Sequence, residues 1–278
     1  MNNLLLSNGV EIPSIGYGTW NLENNVAETV KTAFDIGYRS IDAAYSYGND
    51  FYVGKAIKNS GIPREDLFIT NKVWKTFYGK DLTIQACKKS LKFMKLDYFD
   101  LYLIHWPVPI NQENWAEINS STWEGMEALY KEGLVRSIGL SNFLPHHIDK
   151  LYENGLTVEP MVNQIEFHPG KNQTDILEYC TDRKIVVEGW SPLGRAEVLN
   201  TPVLMELSKK YECTTAQLCL KWSMQKGIIP IPRSSNPDRM RENFSIPDFS
   251  IQDDDCREID KLTNIGCSVF IPDVNIPD

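Results

Sequence analysis

The sequence predicts an α/β chain closed into a (β/α)8 TIM barrel, on three observations. Eight short strand-like runs alternate with segments of helical period, a pattern that calls for a parallel sheet covered by helices. No low-complexity stretch or Gly/Ser linker interrupts residues 1–278, so one domain is expected. The first long strand reads Gly16-Tyr17-Gly18-Thr19-Trp20, with no third glycine and no helix opening directly behind it. An open dinucleotide-binding sheet would carry G-x-G-x-x-G there, so eight units without that fingerprint favour the closed ring.

Taken in order, residues 4–12 (LLLSNGVEI) read as a hairpin turning at Asn8-Gly9. That pair is a type I′ signal, and the hairpin is expected to plug the bottom of the barrel. The eight strands are expected at 14–19, 40–44, 67–73, 100–106, 135–141, 161–167, 186–193 and 228–233. Between the first two, Val30, Phe34 and Tyr38 recur at four-residue spacing; between the third and fourth, Ile84, Cys87, Leu91 and Met94 share a helical face. Gly37, Gly133 and Gly155 stand just before strands, where a left-handed helix C-cap suits glycine. Asn236-Pro237 opens the last barrel helix with an N-cap and an N1 proline.

Composition narrows the functional classes. With 42% hydrophobic residues, 23% charged residues and a net charge of -9, the chain is an ordinary globular one. The negative balance argues against a nucleic-acid surface and against docking on anionic lipid. No run approaches the ~18 apolar residues of a membrane span, and the opening MNNLLL lacks the basic flank of a signal peptide. Six cysteines without a C-x-x-C pair read as reduced thiols, which places the protein in the cytoplasm. The four histidines show no metal-ligand spacing, so no metal is expected, and His146-His147 is expected at an exposed helix start.

Active groups of a TIM barrel sit at the C-terminal ends of its strands. The second strand ends in Asp42, with Tyr47 in the following loop. The third carries Lys72, and the fourth carries His105 followed by Trp106. The fifth ends Ser141-Asn142, the sixth holds Asn163 and Gln164, the seventh gives Trp190-Ser191, and the eighth ends Arg233-Ser234. Each has a structural explanation alone: a satisfied core histidine, an Asp–Lys pair, a rim aromatic. Jointly these are less economical, because a buried lysine and carboxylate are costly unless paired or used.

Proton transfer at a carbonyl fits the set. A phenol titrates near pH ~10. Lys72 is expected to pull the Tyr47 value towards neutrality, with Asp42 holding the ammonium in place. Tyr47 then serves as general acid and His105 donates a hydrogen bond to the same oxygen. The electrons must come from a cofactor. The stretch IPRSSNPDRMRENF supplies Arg233 and Arg239 beside Ser234 and a helix N-terminus, an anion site in an acidic protein. Trp190 offers a ring for stacking on a planar heterocycle, and Ser141, Asn142 and Gln164 match the needs of a carboxamide.

Three separated stretches, GYRSIDAAYSYGNDFYVG (37–54), RSIGLSNF (136–143) and IPRSSNPDRMRENF (231–244), resemble the aldo-keto reductase family, and the likeness spans essentially the whole chain. The resemblance implies a TIM barrel with an N-terminal hairpin, two extra helices and a short C-terminal tail. It puts the catalytic tetrad on Asp42, Tyr47, Lys72 and His105. Nicotinamide contacts fall on Ser141, Asn142 and Gln164, with Trp190 stacking. Further cofactor contacts fall on Gly18, Thr19, Asp42, Ser191 and Leu193, and those to the 2′-phosphate and adenine on Arg233, Ser234, Arg239, Glu242 and Asn243. The implied cofactor is NADPH (NADP+), bound extended and giving its 4-pro-R hydride to an aldehyde or ketone.

Two positions depart from the family pattern. Asp50 replaces the usual Glu and is expected to be a loop carboxylate of little consequence. Arg233 replaces the commoner Lys; its fork still suits a phosphate, so NADPH remains the expectation, with NADH as an alternative. The short loop 194–200 and brief tail resemble the compact bacterial and protist branch, which includes 2,5-diketogluconate, glyoxal and prostaglandin-F-forming reductases. Trp20, Trp74, Trp106 and Trp115 are expected to join Tyr47 and His105 in lining an apolar pocket for a neutral, small-molecule carbonyl, with Phe270 and Ile271 of the tail adding to it. A monomer is expected. Two other readings are a cofactor-binding sensor or partner subunit on the same fold, and an alcohol dehydrogenase running in the oxidative direction.

Overall fold

The structure, a computed structural model, describes residues 3–22, 25–275 and 277. Met1, Asn2, Glu23, Asn24, Ile276 and Asp278 lie outside the described residues, so the end of the expected tail is not covered. A hairpin comes first, β1 (Leu4–Leu5) and β2 (Glu11–Ile12). Then follow β3 (Tyr17–Gly18), α1 (Val26–Ile36), β4 (Ser40–Asp42), α2 (Asp50–Asn59), β5 (Phe68–Val73) and α3 (Lys80–Met94). Next come β6 (Leu101–Ile104), α4 (Trp115–Lys131), β7 (Ile138–Ser141), α5 (Pro145–Glu153), β8 (Val162–Glu166) and α6 (Thr174–Asp182). The chain continues through β9 (Val186–Trp190), α7 (Pro202–Lys210), α8 (Thr215–Gln225), β10 (Ile229–Ile231), α9 (Pro237–Phe244) and α10 (Asp253–Asp260).

Strands β3 to β10 pair in parallel in chain order, forming an eight-stranded sheet. Its two ends meet: Gly16 N–H donates to Pro230 O (3.0 Å) and Gly18 N–H to Pro232 O (3.1 Å). The closure is tight: a Cβ at Gly16 would stand 3.3 Å from the Ile231 side chain. The expected barrel is thus the observed one, and α7 and α10 are the two helices beyond one per strand. The predicted helix faces are also the packed ones. Val30 and Phe34 are buried on α1, as are Cys87, Leu91 and Met94 on α3, while Ile84 is half-buried and the buried Tyr38 lies beyond the end of α1. Helix α1 stops at Gly37, whose φ of 126° no L side chain adopts readily, and whose N–H donates to Ala33 O and Phe34 O.

The hairpin exists but turns differently from expectation. A type I′ turn needs positive φ at both central residues, and only Gly9 has it (86°). Gly9 N–H donates to Leu6 O and Leu6 N–H to Val10 O, both at 2.9 Å. This is a three-residue loop whose left-handed third position falls on the glycine. Asn8 instead spends its side chain on the barrel, donating from Nδ2 to Arg136 O (2.9 Å), and that contact across the bottom of the ring outweighs the local turn preference.

Candidate active site

The register of the ring sets the polar groups beside one another. Asp42 ends β4, Lys72 sits one residue before the end of β5, and His105 follows β6. Lys72 is fully buried, and Asp42 and His105 are nearly so. Lys72 Nζ donates to both Asp42 oxygens (2.7 Å each) and to Ala43 O (3.0 Å), and lies 3.4 Å from Tyr47 Oη. The rings of Tyr47 and Trp74 meet His105 edge to face at 5.6 and 5.1 Å. All four residues expected to carry catalysis therefore share one cluster.

Hydrogen bonds extend that cluster round the barrel mouth. Gln164 Nε2 donates to Asp42 Oδ1 (2.9 Å) and to Glu188 Oε2 (2.9 Å). Ser141 Oγ donates to Gln164 O (2.9 Å), Asn142 Nδ2 to His105 O (3.0 Å), and Trp190 Nε1 to Asn142 Oδ1 (2.8 Å). Thr19 caps the same region by donating through its N–H and Oγ to Asp42 O. Asn142 and Ser191 hold left-handed backbone (φ 64° and 50°), which for side-chain-bearing residues marks a constrained rim.

Electrostatics correct one expectation. Burial pushes the Tyr47 phenol up to about 12, outweighing the ammonium of Lys72, which lowers it, while Asp42 adds to the rise. The expected pull towards neutrality is absent because desolvation of the phenolate exceeds the attraction of one cation already neutralised by Asp42. Burial works against the charge of Lys72, but Asp42 and Tyr47 offset it and the ammonium is held above its ordinary range. Burial and Lys72 drive His105 well below its ordinary value, so the imidazole is neutral. The site thus holds a protonated phenol beside a neutral imidazole, the pair a general acid and a hydrogen-bond donor require.

A second cluster lies where β10 ends. Tyr17 Oη donates to Ser234 O (2.6 Å), and the Arg233 guanidinium to Asn21 O. Arg233 and Arg239 are exposed, and among the described residues neither is in an ion pair. Asn236 Oδ1 accepts from Asp238 N and Arg239 N, so the helix start is already capped by its own side chain. Asn243 is buried and Glu242 half-buried on α9. Both arginines are thus exposed cations in a chain of net negative charge, one at the end of β10 and the other on α9.

Of the expected pocket aromatics, Trp74 reaches His105, and Trp106 packs on Trp190 (6.5 Å) and on Phe270 of the tail (5.9 Å). Trp20 is exposed on the β3 side and Ile271 is also exposed. Trp115 begins α4 and packs against His147 (5.5 Å), towards α5. The half-buried Leu193 packs against the core. Asp50 is not a loop carboxylate. It opens α2, is buried, and accepts from Asn71 Nδ2 (3.0 Å), the residue before Lys72.

His146-His147 does sit at a helix start, but His147 is fully buried. His146, His147 and Asp273 form the one group of three potential metal ligands among the described residues. His147 Nδ1 accepts from Leu144 N–H (3.2 Å), and its Nε2 lies 3.1 Å from Asp273 Oδ1. His146 Nε2 lies 2.9 Å from the same Asp273 oxygen, which ties the tail to the start of α5. Ser268 adds a second fastening, donating from N–H and Oγ to Glu166 (2.8 and 2.9 Å).

Glu188 was not singled out in the sequence because VVEGW reads as a buried strand. Its signal was there: residues i and i+2 of a strand share a face, and Glu188 lies two before Trp190. Burial, with Asp42 adding, pushes Glu188 up to about 7 against the opposing Gln164 and Lys72.

Against this geometry stand the comparisons with known proteins. A family model described as the Aldo/keto reductase family matches residues 14–264. The chain is 43% identical to glyoxal reductase of Bacillus subtilis (strain 168) over 92% of its own length and 91% of that protein's. It is 40% identical to 9,11-endoperoxide prostaglandin H2 reductase of Trypanosoma cruzi (strain CL Brener), over 94% and 91%. The crystal structure of MGS-M4, an aldo-keto reductase enzyme from a Medee basin deep-sea metagenome library, superposes with a TM-score of 0.91 at 37% identity, covering 99% of this chain and 100% of that one.

Proposed function

Because the chain belongs to the aldo/keto reductase family, and is an oxidoreductase acting on carbonyl and alcohol groups, we propose that it reduces a small neutral aldehyde or ketone with NADPH, Tyr47 giving the proton. The observation that carries this reading is the Lys72 ammonium, held by two bonds of 2.7 Å to Asp42 and 3.4 Å from the Tyr47 oxygen. Similarity to a glyoxal reductase supports α-oxoaldehydes as the first substrates to test. Arg233 and Arg239 would hold the 2′-phosphate, and Ser141, Asn142, Gln164 and Trp190 the nicotinamide, with Gly18, Thr19, Ser191, Leu193, Ser234, Glu242 and Asn243 completing the cradle. When bound, NADPH supplies the hydride.

The chain's own part is to place the carbonyl and manage one proton. His105, neutral, donates a hydrogen bond to the carbonyl oxygen and fixes it near Tyr47. As negative charge grows on that oxygen, Tyr47 transfers its proton there. The phenolate left behind faces Lys72, whose ammonium stabilises it, and Asp42 keeps that ammonium aimed. The rings of Trp74 and Trp106 would offer the substrate an apolar wall. We place the enzyme in the cytoplasm as a single-domain monomer, in keeping with its six free cysteines. Among the described residues no helix is long and apolar enough to cross a membrane.

The test is loss of NADPH and of NADH absorbance with a panel of α-oxoaldehydes, ketones and keto acids. Consumption with NADPH in preference to NADH is expected. If neither cofactor is oxidised by any carbonyl, the reading fails and the cofactor-binding sensor takes its place.

A further inference from the structure

Gln164 lies between two buried carboxylates from different strands. Its Nε2 stands 2.9 Å from Asp42 Oδ1 on β4 and 2.9 Å from Glu188 Oε2 on β9. An amide NH2 has two hydrogens, and here each has its own anion. Asp42, bonded on both oxygens by the Lys72 ammonium, only accepts, so an amide turned by half a rotation would set its carbonyl oxygen against an acceptor there. Asp42 alone could not fix this, because with one anchor the second hydrogen would be buried without a partner.

Glu188 is 1% exposed, and a carboxyl group buried so deeply needs a hydrogen-bond partner to offset its desolvation. Its charged surroundings are Asp42 on β4 and Lys72 on β5, with Gln164 as its hydrogen-bond donor on β8. Lys72 is already bonded to both Asp42 oxygens, so Glu188 is not needed to neutralise it. What Glu188 touches is the amide. No described residue donates to Gln164 Oε1, which is left as the one free atom of that amide.

We propose that Glu188 is a positioning residue that, with Asp42, locks the Gln164 amide in one orientation and so keeps its carbonyl oxygen free to accept from the carboxamide of a nicotinamide cofactor. This rests on the NADPH reading given above. It adds a specificity element: the site is set to meet an amide N–H donor, and a nicotinic acid ring carrying a carboxylate in its place would be repelled.

The experiment measures binding of NADP+ and of adenosine 2′,5′-bisphosphate, which lacks the nicotinamide, to wild type, Glu188→Gln, Glu188→Met and Glu188→Ala. Circular dichroism checks that each variant folds. Glu188→Met and Glu188→Ala are expected to bind NADP+ on the order of tenfold more weakly and the bisphosphate as wild type does. Glu188→Gln, which can still present an acceptor oxygen, is expected to restore NADP+ affinity. The proposal is overturned if the Met or Ala variant binds NADP+ like wild type, or loses both ligands equally. If wild type binds neither NADP+ nor NAD+, the cofactor reading itself falls, a result distinct from either.

Discussion

The Lys72 ammonium lies 3.4 Å from the Tyr47 phenol oxygen, yet the phenol keeps its proton. With a value of about 12 it is a neutral phenol, able to donate its proton, across the ordinary pH range. Carbonyl reduction uses the protonated form, so its rate-limiting chemistry is expected to show no alkaline fall below pH ~10. Alcohol oxidation uses the phenolate and is expected to rise with pH over the same range. Single-turnover rates in both directions across pH check this. A reduction rate that halves near neutrality would show that Lys72 lowers the phenol after all.

Replacing Lys72 by Met should separate stability from catalysis. The single change leaves Asp42 buried without its cation, which costs about 3–5 kcal/mol. The double variant Asp42→Asn/Lys72→Met removes both charges and is expected to recover most of that stability while turnover stays at least 100-fold down. Denaturant midpoints and kcat measured together read the two effects.

Two buried glutamates should tilt stability in opposite directions with pH. Glu166 falls from 4.5 to about 2, because Lys171, His168 and Ser268 favour its charge against burial. Its stabilisation is present above 4.5 and lost as pH falls towards 2. Glu188 rises from 4.5 to about 7, so the folded state binds the extra proton and its contribution is lost as pH climbs through that window. Thermal unfolding should find Glu188→Gln more stable than wild type at pH ~8 by on the order of 2 kcal/mol, with the gap closing near pH ~5. Glu166→Gln should be the less stable at both, since it weakens the tail's anchor at Ser268.

Gly54 fixes how closely α2 approaches α3. A Cβ there would stand 2.2 Å from the Met94 carbonyl oxygen, a backbone atom that cannot swing aside. Gly54→Ala is therefore expected to destabilise by about 3 kcal/mol despite adding a better helix former. A midpoint shift smaller than that of a surface Gly→Ala change would show that the helix pair slides freely.

Much of this was written in the chain. The ring of eight was legible because strand and helix periods differ, and the polar groups stood out because Asp42, Lys72, His105, Ser141, Gln164 and Trp190 all interrupt or end apolar runs. Glu188 was harder to see, since one carboxylate inside VVEGW announces no partner. Trp115 and His147 likewise look like rim residues until α4 and α5 are set side by side. Asn8-Gly9 carries a turn signal that the contact of Asn8 with Arg136 overrides.

The sequence by itself determined the strand-end groups Asp42, Lys72 and His105 that meet at the barrel mouth, because position at a strand's end follows from local geometry. Only the tertiary structure decided what those residues are as acids and bases. Proton affinity is a sum over neighbours from distant strands and over the water they displace, and in that sum burial of the Tyr47 phenol outweighed the cation beside it.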